Sequence, residues 1–185
     1  QDDDKIRELM SGDAIWYCGE CMSCKTRCPR GNAPGLLIIA LRSLSQDLGY
    51  FTESEKGRQQ LAVKRAIGDQ ILASGYCMRP DAVVPEMHPE QGPVWEWEHK
   101  NLVPLMEKLG ANYNGEGSGA LRKVSDNDLD ELKRIFEITG GQDRYDKIEE
   151  FSKQKAEEMA LEFGSGTESE YFKHVYTANK KKHNH

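Results

Sequence analysis

Four cysteines near the amino end carry the strongest chemical signal in this sequence. Cys18, Cys21, Cys24 and Cys28 fall within eleven residues, and Pro29 follows the last of them. The spacing C-x2-C-x2-C-x3-C-P is typical of sites where thiolates bind a [4Fe–4S] cluster. Thiolates at successive steps of three line one side of a tight loop, and the proline then turns the chain away. The spacing therefore predicts at least one [4Fe–4S] cluster, with these four cysteines as iron ligands.

Other uses of the same cysteines fit the spacing less well. Structural zinc is usually held by two C-x2-C pairs that lie a dozen or more residues apart. A disulfide framework is disfavoured because the count of five cysteines is odd and such close neighbours form strained bridges. A zinc site, or four thiols without a metal, stay as the alternatives.

The identity of the fourth ligand is open at this stage. Either Cys28 completes the cluster, or a remote donor does so and Cys28 serves a second cluster, as in two-cluster proteins. The remote donor would be Cys77, a partner subunit or a segment upstream of Gln1. Cys77 lies in a loop-like stretch, where we expect it to be a small buried apolar residue.

Composition excludes several classes of function. The 25 Lys and Arg residues against 31 Asp and Glu residues give a formal net charge of -6, which disfavours general nucleic-acid binding. The longest apolar run, Leu36 to Leu41, is far shorter than the roughly 20 residues of a membrane span. Residues 1–15 contain no apolar core of a signal peptide. Apolar residues make up only 37% of the chain, so we expect a modest core that depends on a cofactor or partner.

The elements that would position the cysteines are predicted to be helices. A short helix over 4–11 precedes the cysteine loop at 12–33. Pro34 suits the first turn of the next helix, which ends at Gly49. Its many leucines and isoleucines are expected to be buried against the cysteine loop. A further helix is expected from a cap at Thr52 or Ser54 to about residue 73. We expect its outer face to be solvated, and the alternative is a docking surface for an acidic partner. That face carries Lys56, Arg58, Lys64 and Arg65.

The C-terminal half changes character. Residues 74–104 contain five prolines and are predicted to form an extended connector. We expect it to pack on a neighbouring subunit, and the alternative is that it folds back over the chain's own helices. Its apolar anchors are Val83, Val84, Met87, Trp95 and Trp97. A glycine-rich loop over 112–120 is followed by two helices, the first capped by Ser125 and the second spanning about 142–163. The sequence thus predicts an all-α protein divided into an iron–sulfur domain (1–75), a connector (76–120), a helical hairpin (121–164) and a polar tail (165–185).

The stretch from Asp13 to Gly31 resembles the second cluster motif in the C subunit of heterodisulfide reductase, a family of α-helical ferredoxins. Trp16, Arg27, Pro29 and the apolar helix that follows match the family pattern, and the resemblance covers about residues 5–75. The family's first cluster motif is absent from this sequence. The resemblance implies a non-catalytic subunit that relays single electrons between a flavin-containing subunit and a catalytic, cluster-containing subunit.

The C-terminal half, with Gly-Pro-Val-Trp-Glu-Trp-Glu over 92–98 and two later helices, looks like the sulfur-oxidising branch of that family. This branch implies a cytoplasmic complex that oxidises sulfur compounds delivered by a lipoate-binding carrier protein. Lys25, Arg27 and Arg30 are expected to offset the negative charge of the cluster, to be solvated or to dock a subunit. Two other functions remain open. One is a redox enzyme with a reactive Cys77, and the other is an interaction module in which zinc or a cluster only stabilises the fold.

Overall fold

The computed structural model describes residues 2–82 and 84–177, and these residues form helices and turns without a strand. This confirms the predicted all-α class. Val83 and the part of the predicted tail from residue 178 onward lie outside the described residues. The α-helices are α1 (Asp2–Ser11), α2 (Ser23–Arg27), α3 (Pro34–Asp47), α4 (Glu55–Arg58), α5 (Gln60–Val63), α6 (Asp69–Ser74), α7 (Gly92–Lys100), α8 (Leu102–Lys108), α9 (Asp126–Ile138), α10 (Gly141–Glu158) and α11 (Glu170–Thr177).

The chain divides into two compact units whose boundaries differ from the predicted ones. The first unit contains residues 1–64 together with 140–185, and the second contains residues 65–139. Within the first unit α10 packs on α3 and α5, and within the second α9 packs on α6. The two helices predicted to form a hairpin therefore belong to different units, because each finds its packing partner among earlier helices.

The core of the first unit is built partly from the predicted polar tail. Phe51, Leu61, Tyr171, Phe172 and Val175 are all completely or almost completely buried. Three of these residues belong to α11, which packs on α5. The prediction of a polar tail from residue 165 is wrong over α11, because these apolar side chains share one helical face that the core covers.

Helix α3 begins at Pro34 as predicted, but the expected burial of its leucines is wrong. Its buried residues are Gly35 and Ser45, which allow neighbouring segments to approach the backbone closely. The hydroxyl of Ser45 donates to the carbonyl of Met10 at 2.8 Å. Because the packed side of α3 carries small residues, several of its larger apolar side chains are left exposed. The exposed ones are Leu36, Leu37 and Leu44, with Leu48 just after the helix.

The helical run from α4 to α6 starts at the predicted cap but is not one regular helix. Ser54 Oγ accepts from the N–H of Gly57 at 2.8 Å, which fixes the first turn. A π-helical turn over Lys64–Gly68 interrupts the run. The predicted solvated outer face is also wrong, since Arg65 is buried and Lys64 Nζ lies 2.9 Å from the carboxylate of Glu149.

The second unit contains helices where an extended connector was predicted. Helices α7 and α8 occupy residues 92–108, and Pro93 and Pro104 lie in their first turns, where a missing N–H costs little. Short 3-10 turns begin at Pro80, Pro85 and Pro89.

The described residues of this second unit include no buried large apolar side chain. A unit of this size normally buries a continuous apolar core. Its exposed apolar side chains include Met78, Val94, Trp97, Val103, Leu109, Ile135 and Ile138.

Hydrogen bonds close the glycine-rich loop of the second unit. The N–H of Asn112 donates to the carbonyl of Ala120 at 2.9 Å. Nearby, the buried Arg79 donates to both carboxylate oxygens of Asp81 and to Asn114 Oδ1 at 2.9 to 3.1 Å. Burial opposes ionisation of Asp81, but its hydrogen bonds with Arg79 and Tyr113 outweigh burial and lower its pKa.

Candidate iron-sulfur site

The four cysteines lie on the connection between α1 and α3. Cys18 follows a 3-10 turn over Ala14–Tyr17, Cys24 is inside α2, and Cys28 comes directly after α2. Two residues between the cysteines adopt left-handed backbone conformations, Glu20 with φ 53° and Met22 with φ 57°. Non-glycine residues adopt this conformation only when their surroundings require it. The loop is therefore a defined structure of tight turns.

The cysteine side chains are free thiols close to the surface. Cys21 is exposed, and the other three of the motif are half-buried. Within residues 2–82 and 84–177 no three His, Cys, Asp or Glu side chains are gathered in a metal-binding arrangement. The assignment of the four iron ligands therefore stays a prediction. Cys77 is a free thiol as well, and it is exposed, so its expected burial is wrong.

Two of the sulfur atoms have hydrogen-bonding contacts. The N–H of Gly35, at the start of α3, donates to Cys24 Sγ at 3.3 Å. Cys21 Sγ lies 3.4 Å from Ser23 Oγ, and this side-chain hydrogen bond is the main cause that lowers the pKa of the Cys21 thiol. A lower pKa favours the thiolate, which is the form that binds metals.

Arg42 holds the beginning of the cysteine loop against α3. Its Nε donates to the carbonyl of Ile15 at 2.7 Å, and its Nη2 donates to the carbonyl of Cys18 at 2.6 Å. Its Nη1 lies 2.5 Å from the carboxylate of Glu20. The guanidinium carbon also lies 5.4 Å from the centroid of the Trp16 ring. One side chain thus fixes the backbone on both sides of Trp16 and at the first cysteine.

Sequence reasoning missed Arg42. The sequence feature that points to Arg42 is that no other charged residue lies between Pro34 and Gln46. A lone cation on an otherwise apolar helix requires specific partners when it is largely buried.

The residues present fit an iron–sulfur cluster in their chemistry. Four soft thiol donors lie close together in sequence, as in the C-x2-C-x2-C-x3-C-P type of iron–sulfur site. The indole Nε1 of Trp16 is buried and has no acceptor among the described residues. Buried donors of this kind nearly always have a partner, and cluster sulfur atoms are acceptors of N–H hydrogen bonds.

Comparisons with known proteins agree with the cysteine motif. The C subunit of ferredoxin:CoB-CoM heterodisulfide reductase from Methanosarcina acetivorans is 28% identical over 155 residues, which are 84% of this chain and 55% of that protein. The iron-sulfur C subunit of CoB--CoM heterodisulfide reductase from Methanopyrus kandleri is 28% identical over 87 residues, 45% of each chain. An iron-sulfur C 2 subunit from Methanocaldococcus jannaschii is 26% identical over 102 residues, 52% of this chain and 50% of that protein.

These relatives confirm the resemblance to the heterodisulfide reductase C subunits that the motif predicts. The chain spans about half the length of the relatives it matches. No protein-family model and no solved structure matches it. None of the helices in the described ranges has the length and hydrophobicity that a membrane span requires.

Proposed function

We propose that this relative of the heterodisulfide reductase C subunits is an electron-transfer subunit that binds a [4Fe–4S] cluster through Cys18, Cys21, Cys24 and Cys28. The observation that carries the proposal is the C-x2-C-x2-C-x3-C-P spacing. The names of the matched relatives, two of which are called iron-sulfur subunits, support it. Cys28 is assigned to the same cluster because it directly follows α2, which carries Cys24.

A bound [4Fe–4S] cluster supplies storage for one electron at a time. The residues of this chain would hold and surround it. The four cysteine thiolates bind iron, and Arg42 fixes the backbone that carries the first of them. Lys25, which is exposed on α2, supplies positive charge against the thiolates and sulfides.

The proposed setting is a larger complex in which this subunit relays electrons between a flavin-containing subunit and a catalytic, cluster-containing subunit. The second unit of the chain supports an assembly, because it exposes Val94 and Trp97 while its described residues bury no large apolar side chain. Exposed apolar surface of this kind marks protein interfaces. The interface thus involves the segment predicted to pack on a neighbouring subunit.

We further propose that the complex works in the oxidation of sulfur compounds in the cytoplasm, with a lipoate-binding protein as the sulfur carrier. The resemblance of the C-terminal half, with its segment over 92–98 and two later helices, to the sulfur-oxidising branch supports this assignment. Co-purification from the native host tests it, since a lipoate-bearing protein and a flavoprotein are expected in the same complex. Recovery of the intact complex without either of them would contradict this part of the proposal.

Anaerobic purification followed by electron paramagnetic resonance tests the electron-transfer function. The protein is expected to give a signal that appears on one-electron reduction and disappears on reoxidation. Replacing Cys21 by Ala is expected to abolish the cluster, whereas Cys77→Ser, the matched control, is expected to retain it. A cluster that survives loss of Cys21, or one that never changes oxidation state, would refute the proposal.

A further inference from the structure

We propose that the surface beside the cysteine loop docks an acidic protein and is where this subunit exchanges electrons with it. The surface, called the basic face below, consists of Lys25, Arg27, Arg30, Leu36 and Leu37. This inference rests on the electron-transfer function proposed above and adds the chemistry of the partner.

Charge is distributed unevenly along the chain. The stretch from Cys21 to Gln46 contains four cations and no Asp or Glu, although the whole chain carries a formal charge of -6. One of these cations, Arg42, is turned inward to backbone carbonyls. Lys25, Arg27 and Arg30 are exposed, and none of them forms an ion pair with a described residue. None of the three exposed cations of the basic face is therefore paired with a carboxylate of the described residues, on a protein whose net charge is negative.

The apolar part of this face lies next to the cysteines. Leu36 is 51% exposed and Leu37 is 62% exposed. Both follow Gly35, whose N–H contacts Cys24 Sγ. Helix α2, which carries Lys25 and Arg27, also packs against α3. Apolar side chains with charged neighbours are the usual composition of a protein interface, with a dry centre and a polar rim.

The position and the charge of the face together select the partner. An electron has to cross a short distance between two redox centres, so the partner must contact the surface nearest to the cysteines. Three exposed cations that form no ion pair with a described residue favour carboxylates on the partner through electrostatic steering. Two exposed leucines favour a protein over a nucleic acid, whose contacts are mostly phosphate. The matching surface is an apolar spot bordered by Asp and Glu.

Charge reversal on the cluster-loaded full chain tests the docking chemistry. The variant Lys25→Glu/Arg30→Glu is compared with Lys5→Glu/Lys153→Glu, which changes the net charge equally at exposed positions outside the face. The probe is a fluorescent peptide of Glu and Leu residues, and its binding is measured by anisotropy. The first variant is expected to bind the peptide at least about tenfold more weakly at low salt, and the control is expected to bind like the parent.

Electron transfer to small ions of opposite charge provides a second readout. The reduced protein gives one electron either to hexacyanoferrate(III), an anion, or to hexaamminecobalt(III), a cation. The electron lowers the oxidation state of the iron or cobalt in that ion from III to II. The charge-reversed variant is expected to transfer electrons more slowly to the anion and faster to the cation than the parent protein does. Equal slowing with both ions would overturn the role of surface charge.

An uncharged variant outside the cysteine loop separates loss of peptide binding from distortion of that loop. Leu37→Ser lies outside the loop and is expected to weaken peptide binding, whereas Leu9→Ser, at a 47% exposed position of α1, is not. Unchanged peptide affinity in Leu37→Ser and in the charge-reversed protein would overturn the proposal. So would equal binding of single-stranded DNA, or self-association of the chain through this face. Peptide binding needs no redox change, so its failure is distinct from failure of the electron-transfer function.

Discussion

Replacing Arg42 by Met should loosen the cysteine loop while leaving most of the α3 packing in place. The arginine side chain is 16% exposed and bridges α3 to Ile15, Cys18 and Glu20. Methionine keeps the apolar stem of the side chain but removes every donor. The carbonyls of Ile15 and Cys18 then lose their arginine donor.

The expected loss of stability follows from these contacts. Each hydrogen bond from a charged donor contributes about 1.5 to 3 kcal/mol to stability. Arg42 donates to two carbonyls, those of Ile15 and Cys18. The ion pair adds little because the side chain of Glu20 is 45% exposed. Contact with the Trp16 ring adds roughly 0.5 to 1 kcal/mol. Since such contributions are not fully additive, we expect the free energy of unfolding to fall by about 3 kcal/mol.

Two measurements on the cluster-loaded protein check this expectation. Urea unfolding followed by circular dichroism reports the stability, and transfer of iron to a chelator reports the opening of the loop. Arg144→Met is the matched control, because Arg144 pairs with Asp47 at 3.2 Å and both side chains are about one-third exposed. An exposed pair of this kind contributes roughly 0 to 1 kcal/mol. If Arg42→Met released iron no faster than Arg144→Met, the proposed role of Arg42 would be refuted.

Two further substitutions test other contacts. A Cβ on Gly35 would lie 3.2 Å from Cys24 Sγ and 3.4 Å from Met22 Sδ. We therefore expect Gly35→Ala to lower the iron content although alanine favours a helix by about 1 kcal/mol; full iron content would contradict this. Burial raises the pKa of Tyr171 to about 12. The neutral phenol therefore contributes fully to the free energy of unfolding below the unfolded-state pKa of about 10. This contribution is lost as the pH rises toward about 12. Tyr171→Phe should remove this alkaline loss of roughly 2 to 3 kcal/mol in urea unfolding, and an unchanged pH dependence would refute the assignment.

Local signals in the sequence predicted the starts of three helices correctly. Pro34 begins α3, and the hydroxyls of Ser54 and Ser125 cap the helices that follow them. These features depend on neighbours within one turn, so the sequence contains all the information they need.

Features that depend on distant residues were not predicted. The leucines of α3 were expected to be buried because they are apolar, but Gly35 and Ser45 form the packed side instead. Residues 74–104 were predicted to be extended because of their prolines, whereas Pro93 lies in the first turn of α7. Burial of Tyr171 in the core depends on packing against α5, which is more than 100 residues earlier in the chain. Periodicity shows that a helix has an apolar face but does not show which neighbour covers it.

The candidate site also combines features that follow from local sequence with features that depend on distant residues. The cysteine spacing predicts the donors without the fold, because the proposed ligands are close together in sequence. The contacts of Arg42 with Ile15 and Cys18 span 27 and 24 residues, and no local pattern connects them. Identifying this positioning residue therefore required the fold.

The iron and acid-labile sulfide content of the anaerobically purified chain tests the central claim most directly. About four atoms of each per chain are expected if Cys18, Cys21, Cys24 and Cys28 hold one [4Fe–4S] cluster. A folded chain that contains zinc in place of iron, or no metal at all, would contradict the account.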